Sequence, residues 1–183
     1  MLKVHFLETA LGWCAACYSE VGLLLFTLPH NTIKEAMDDV WENFNEFLIC
    51  GDILPYGKKV KVREPEVEKL YTALRDFFEY GKSFPDLKFD WSITSEFCKN
   101  VYKIVKNIPY GEVRTYGWVA KAIGKPKAAR AVGQALKRNP FPIIIPCHRV
   151  VGVNNIGGFT GKVDLKKKLL TLEGYELKGQ GTG

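Results

Sequence analysis

The sequence predicts an α+β chain in two domains. An antiparallel sheet with helices occupies residues 1–88, and a helical, winged helix-turn-helix domain occupies residues 89–183. Three observations carry this. Residues 3–28 hold three short apolar runs separated by turn residues, as a meander of strands requires. From residue 32 onward the apolar positions mostly recur every three or four residues, the helical period. The charge also changes sign midway. Residues 1–90 carry 10 Lys and Arg against 15 Asp and Glu, and residues 91–183 carry 16 against 5. Net charges of −5 and +11 are thus concealed within a chain of 183 residues whose formal charge is +6.

The strands are expected at Lys3–Glu8, Leu11–Tyr18 and Gly22–Leu28, with turns at Glu8-Thr9-Ala10 and Ser19-Glu20-Val21-Gly22. A helix is expected over Thr32–Ile49, with Ile33, Ala36, Met37, Val40, Trp41, Phe44 and Leu48 on its apolar face. A second fits Pro65–Tyr80, with Pro65 in the first turn, where its missing N–H costs nothing. The Gly, Pro and Asp punctuation of Gly81–Trp91 marks the domain boundary. Thr94 or Ser95 then caps a helix to about Lys106, with Phe97, Val101, Ile104, Val105 and Ile108 as its stripe. After the Pro109-Tyr110-Gly111 turn, Val113-Arg114-Thr115 is extended. Thr115 caps a helix over Tyr116–Ile123, which Gly124 stops. Pro126 opens a helix to Lys137, ended by Asn139-Pro140. Two short helices around a tight Gly turn suit a helix-turn-helix. A Gly/Asn-rich hairpin turning at Asn154-Asn155 and a last helix over Asp164–Leu172 complete the chain.

Composition narrows the function classes. Apolar residues make up 46% and charged residues 25%, a globular balance that excludes collagen-like and disordered chains. No apolar run reaches the roughly 18 residues of a membrane span. The Met1-Leu2-Lys3-Val4-His5 start lacks a secretory pattern, so a cytoplasmic location is expected, or a nuclear one in a eukaryote. Five cysteines, at 14, 17, 50, 98 and 147, are odd in number and irregular in spacing, unlike a secreted disulfide framework. The basic half favours a polyanionic partner. Between Lys99 and Arg149 it has 11 basic residues and one acid, Glu112.

Of the cysteines, Cys147 alone adjoins a histidine, in Pro146-Cys147-His148-Arg149-Val150. An unperturbed thiol is mostly protonated at neutral pH, and a base and a positive charge nearby raise its thiolate fraction. His148 supplies a base, Arg149 a charge, and Glu173 a carboxylate that can orient the imidazole. In an extended segment, adjacent side chains point to opposite faces. Direct Cys147–His148 bonding then needs a sharp turn or a bridging water. A buried, inert cysteine beside a surface histidine remains the alternative. The Gly157-Gly158-Phe159-Thr160-Gly161 stretch allows backbone to approach a ligand. The helix at 126–137 offers Ala128, Ala129, Ala131, Gly133 and Ala135 as exposed positions, with Arg130 as the long probe among them. Major-groove readers use Asn, Gln and Arg. Small residues fit either a narrow groove or helix–helix packing.

Taken in order, Ile108-Pro109-Tyr110-Gly111-Glu112-Val113, Thr115-Tyr116, Pro126-Lys127-Ala128-Ala129-Arg130-Ala131-Val132-Gly133, Asn139-Pro140 and Ile145-Pro146-Cys147-His148-Arg149-Val150 closely resemble the O6-alkylguanine-DNA alkyltransferases. The likeness covers about residues 94–174, and the acidic half follows that family only in outline, as a ribonuclease H-like domain. The resemblance implies direct-reversal repair of double-stranded DNA containing O6-alkylguanine, and also O4-alkylthymine, by a cofactor-free monomer used once. It implies Cys147 as alkyl acceptor, His148 as a water-mediated base oriented by Glu173, and Asn139 as the brace of the active-site turn. Tyr116 would help swing the nucleotide out, and Arg130 would fill the gap left in the stack. Thr115, Ala128, Ala129, Ala131 and Gly133 would face DNA. Pro146, Val150, Phe159, Thr160 and Lys166 would line the base pocket.

Three other readings compete. A lesion-binding protein without chemistry would lack the acceptor cysteine. A winged-helix regulator would carry a longer-armed recognition helix, and a cysteine hydrolase would turn over repeatedly. The Cys14-x-x-Cys17 pair lies in a strand, where i and i+3 face opposite sides. It is read as core rather than metal site, although His5, His30 or Cys50 could add ligands. Cys98 is read as structural. Lys58, Lys59, Lys61 and Arg63 are read as a solvated loop beside Glu64, Glu66 and Glu68.

Overall fold

The computed structural model describes residues 2–47, 65–159 and 162–176. The chain divides into two compact units, Met1–Ile93 and Thr94–Gly183. Thr160, Cys50 and the Lys58–Arg63 cluster lie outside the described residues. The fold is mixed α/β, with small sheets and six α-helices among the described residues.

In the first unit, β1 (Lys3–Thr9), β2 (Gly12–Tyr18) and β3 (Leu23–Phe26) form an antiparallel sheet in that order. Lys3 faces Tyr18 and Thr9 faces Gly12, so only Ala10 and Leu11 make the turn. Gly12 is required there: its φ is 123°, and an added Cβ would lie 2.3 Å from the His30 carbonyl oxygen. The third strand is shorter than the expected Gly22–Leu28. Thr27 ends the ladder because its hydroxyl, not a carbonyl, accepts the Ala15 N–H at 2.8 Å. Helices α1 (Ile33–Phe47) and α2 (Pro65–Tyr80) pack on β2 and β1 respectively. Ala15, Cys17, Leu24, Leu25, Ala36, Met37 and Val40 form a buried cluster. Cys14 is fully buried as well. Among the described residues, no group of three or more His, Cys, Asp or Glu side chains comes together.

The division between units falls after Ile93 rather than within 81–91. Hydrogen bonds explain the difference. Leu23 N–H donates to Lys88 O at 2.8 Å, Asp90 N–H to Leu23 O at 2.7 Å, and Ser19 Oγ to Asp90 Oδ2 at 2.5 Å. These bonds tie the Gly- and Pro-punctuated segment to the edge of the first sheet.

The second unit starts with α3 (Glu96–Lys106). Ser95 caps it, accepting the Cys98 N–H at 3.3 Å, while Lys103 and Lys106 occupy the last turn, where the helix dipole favours cations. Then come β4 (Arg114–Thr115) and α4 (Tyr116–Ala122), whose N-cap Thr115 accepts the Trp118 N–H at 3.1 Å. Helix α5 (Ala129–Lys137) starts three residues later than expected. Pro126 lies instead in a turn closed by Ala128 N–H on Lys125 O at 2.9 Å, which postpones the helix. A 3₁₀ turn at Cys147–Arg149, β5 (Val150–Val151) and α6 (Val163–Leu172) follow.

The expected hairpin at Asn154-Asn155 is absent. Val150 and Val151 pair in parallel with Arg114 and Thr115, and Asn155 Oδ1 accepts the Gly157 N–H in an irregular loop. A local side chain-to-backbone bond thus replaces a second strand. No helix among the described residues is long and apolar enough to cross a membrane.

Candidate active site around Cys147

The chain enters the site through a buried turn. Phe141–Ile145 are all buried, and Ile143 takes a left-handed conformation at φ 71°, unusual for a β-branched residue. Ile145 N–H closes the turn on Phe141 O at 2.8 Å. Pro146 (φ −77°, ψ 65°) centres an inverse γ-turn, with Cys147 N–H on Ile145 O at 2.7 Å. Cys147, His148 and Arg149 then form a 3₁₀ turn, not an extended segment. Their side chains diverge by about a third of a turn each. Cys147 and His148 are therefore not hydrogen-bonded partners through opposite strand faces, and each has its own neighbours.

Asn139 holds both the turn and the sulfur. Its Nδ2 donates to Ile145 O at 2.9 Å and to Cys147 Sγ at 3.3 Å, while its Oδ1 accepts the Phe141 N–H at 3.0 Å. Burial pushes the Cys147 thiol up. The Asn139 amide, Lys166 and the backbone N–H groups of Cys147 and His148 pull it back down. Cys147 is buried, at 7% exposed.

His148 is buried beneath it. Nε2 lies 2.7 Å from Glu173 Oε1, and Nδ1, also buried, makes no hydrogen bond with a described residue. Burial pulls the imidazole pKa down, against the opposing pull of Glu173. Neutral His148 with Nε2–H on Glu173 leaves Nδ1 as a basic lone pair.

Glu173 follows α6, where Gly174 at φ 75° reverses the chain. Tyr175 N–H reaches back to Leu170 O at 2.9 Å, which closes the helix end. Besides His148, the carboxylate accepts Arg149 Nε at 2.9 Å (Oε2) and Nη2 at 2.9 Å (Oε1), and the Gly111 N–H at 3.0 Å. Burial pushes this carboxyl up, but the bonds from His148 and Arg149 outweigh it and hold it below the usual carboxylate range.

The sequence pattern assigns the charge of Arg149 to the Cys147 thiol. The structure turns the guanidinium away, onto Glu173, the Ile108 carbonyl (Nη1, 2.6 Å) and the face of Tyr110. Its alternation with His148 in a 3₁₀ turn puts both on one carboxylate, and the sequence offered no sign of that turn. Tyr102 was missed too. It is buried, and its hydroxyl donates to Ala135 O at 2.7 Å. The signal lay beside the stripe residue Val101.

The other wall comes from α4, α6 and the 150s loop. Lys166 is fully buried, whereas Lys167 and Lys168 are exposed, which fixes the register of the lysine run. Its Nζ donates to Val150 O at 2.6 Å, and burial drops its pKa to about 8. Tyr116 directs its hydroxyl to Gly158 O at 3.5 Å, and its ring lies near Gly133 and Gly157. Gly157 has φ 75°, and a Cβ there would fall 2.6 Å from the Tyr116 hydroxyl. Burial and Cys147 push the Tyr116 phenol up. Phe159 stands edge-on to His148, with ring centroids 6.5 Å apart. The structure thus brings Cys147, His148, Glu173, Asn139, Tyr116, Pro146, Val150, Phe159 and Lys166 into one unit.

On α5, Arg130 and Ala131 are exposed, and Gly133, Ala129 and the N-cap Ala128 are partly so. Ala135, expected to be exposed, is buried against α3, where it meets Tyr102. Arg130 makes no hydrogen bond or ion pair with a described residue.

The family described as "6-O-methylguanine DNA methyltransferase, DNA binding domain" matches residues 96–175. A methylated-DNA–protein-cysteine methyltransferase of Methanosarcina acetivorans is 57% identical over 44% of this chain, a match spanning about half (52%) of that relative. Another, from Saccharolobus islandicus, is 32% identical over 97% of this chain and 99% of its own length. The O6-methylguanine methyltransferase of Mycobacterium tuberculosis superposes with a TM-score of 0.70 at 28% identity, covering 94% of this chain and 93% of that one. Its structure in complex with DNA gives 0.68 at 27% identity, covering 93% and 91%. With a relative aligned from end to end and the sulfur, imidazole and carboxylate assembled in one unit, this chain belongs to the methylated-DNA–protein-cysteine methyltransferase family.

Proposed function

We propose that this chain repairs double-stranded DNA by direct reversal, moving an alkyl group from O6 of guanine to Cys147, with O4 of thymine as a further donor. The observation that carries this reading is the Asn139–Cys147 contact beside a His148 whose Nε2 is held by Glu173 and whose Nδ1 remains basic.

The thiol passes its proton to His148 Nδ1 through water, and Glu173, itself anchored by Arg149, stabilises the imidazolium. The sulfur attacks the alkyl carbon, forming a C–S bond as the C–O6 bond breaks. The bonding pair goes to the guanine, which leaves neutral by taking a proton from the Tyr116 hydroxyl, and the proton held on His148 returns through water to the phenolate. The product thioether has no hydrolysable bond, so each molecule acts once and uses no cofactor.

The base reaches the sulfur by leaving the stack, at a cost of a few kcal/mol that is smaller for a damaged base. Helices α4 and α5 act as the helix-turn-helix. The small side chains of Ala128, Ala129, Ala131 and Gly133 allow close approach to the minor groove, and exposed Arg130 enters the stack. Thr115 meets the strand at the start of α4. Val150, Phe159 and Thr160 receive the base. Residues 89–183 carry the chemistry as a monomer, and residues 1–88 play a structural part. The presence of Cys147 disfavours a lesion-binding protein without chemistry.

The test is to mix the protein with duplex DNA carrying one O6-methylguanine and weigh the Cys147 peptide. One methyl per chain is expected. Binding without mass gain, or repeated turnover, contradicts the proposal.

A further inference from the structure

Tyr102 sits on α3, is 1% exposed, and gives its hydroxyl to Ala135 O in the last turn of α5 at 2.7 Å. That carbonyl already accepts the Arg138 N–H at 3.0 Å, so the helix end would be satisfied without the phenol. An apolar ring would fill the same space with no hydroxyl to satisfy. What the hydroxyl adds is a fixed point. The next turn contains the Asn139 N–H on Leu136 O at 3.3 Å, and from there the Asn139 amide projects to Cys147 Sγ, also at 3.3 Å. A carbonyl at the end of the exposed α5 is thereby linked in three steps to the sulfur.

We infer that Tyr102 is a positioning residue for alkyl transfer: its hydroxyl fixes the last turn of α5 and so aims the Asn139 amide at the Cys147 sulfur. Transfer from DNA rests on the function proposed above. The aiming of the amide does not, because it acts on the thiol itself. The amide and Lys166 from α6 favour the thiolate, and on top of burial the charge of Cys147 in turn pushes up the phenols of Tyr116 from α4 and Tyr102 from α3. His148 adds its backbone N–H.

The experiment is Tyr102→Phe, read in two ways. The pH dependence of Cys147 labelling by iodoacetamide is followed on the Cys147 peptide, without DNA. The rate of methyl transfer from duplex O6-methylguanine is followed alongside. The expected result is a thiol titration displaced to higher pH and a roughly 3- to 10-fold slower reaction at pH 7 in both assays, half to one pKa unit's worth, with the curves converging at alkaline pH. Asn139→Ala should give at least as large a displacement, and the double variant no more than Asn139→Ala alone. Superimposed profiles, a loss by the same factor at every pH, additive shifts, or an unfolded Tyr102→Phe chain would each overturn the assignment. A wild-type chain that labels normally yet takes no methyl from DNA would overturn the proposed function alone.

Discussion

At the scale of the residue, the site is a division of labour between groups that favour charge and burial that opposes it. Cys147 is pushed toward the neutral thiol by burial and toward thiolate by Asn139 and Lys166. Cys147→Ser should abolish transfer while leaving DNA affinity within about twofold, since binding comes mainly from phosphate contacts. Glu173 is the keystone of the polar set. Its replacement by Gln leaves the buried Arg149 short of its countercharge, at a cost of about 3–5 kcal/mol, measurable by urea titration. Glu173 has a folded pKa held below the unfolded value, so its contribution is present above the unfolded pKa and is lost as pH falls through the folded one. Lys166 works in the opposite sense. Its pKa of about 8 lies below that of an exposed lysine, so folding disfavours its proton. Wild-type stability measured against Lys166→Met should therefore rise between pH 8 and 10, and a flat difference would mean the amine is well solvated.

At the scale of the element, the helices were legible because their apolar faces and caps are local. Pro65 opens α2, Ser95 caps α3 and Thr115 caps α4, at the expected positions. The irregular parts were not legible. The 3₁₀ turn at Cys147 depends on Asn139 bonding three groups from outside it, and the loop around Asn155 depends on an Asx bond in place of a second strand. Pattern rules see neither. The motif around Cys147 named candidate residues, Glu173 among them, but the pairing of Arg149 with Glu173 was not legible, because 24 residues separate the two. Gly157 tests the loop. Gly157→Ala forces a Cβ onto the Tyr116 hydroxyl at a positive φ, and should slow transfer from duplex DNA by about tenfold or more, a larger loss than in iodoacetamide labelling of Cys147. On α5, Arg130→Ala should slow repair of duplex DNA more than reaction with free O6-methylguanine, since only the duplex requires a base to be extruded. Equal loss on both substrates would count against stacking by Arg130.

At the scale of the whole molecule, the change of charge sign along the chain separates a basic half, to which the alkyl transfer is assigned by proposal, from an acidic one. The +11 of residues 91–183 is expected to dock DNA, so affinity should fall by roughly 0.9 log units per log unit of salt for each phosphate contact. A flat dependence would place docking elsewhere. The division after Ile93 was visible in composition only to within a few residues. The Phe89–Leu23 bridge and the Asp90 bonds bind that segment to the first sheet through contacts distant in sequence. The most direct measurement of the central claim is an active-site titration. Protein is mixed with a limiting series of duplexes carrying one O6-methylguanine, and the Cys147 peptide is weighed. One methyl per chain is expected, confined to Cys147, with guanine restored in equal amount and no second turnover. Restoration of more guanine than protein, or methyl appearing on another residue, would contradict it.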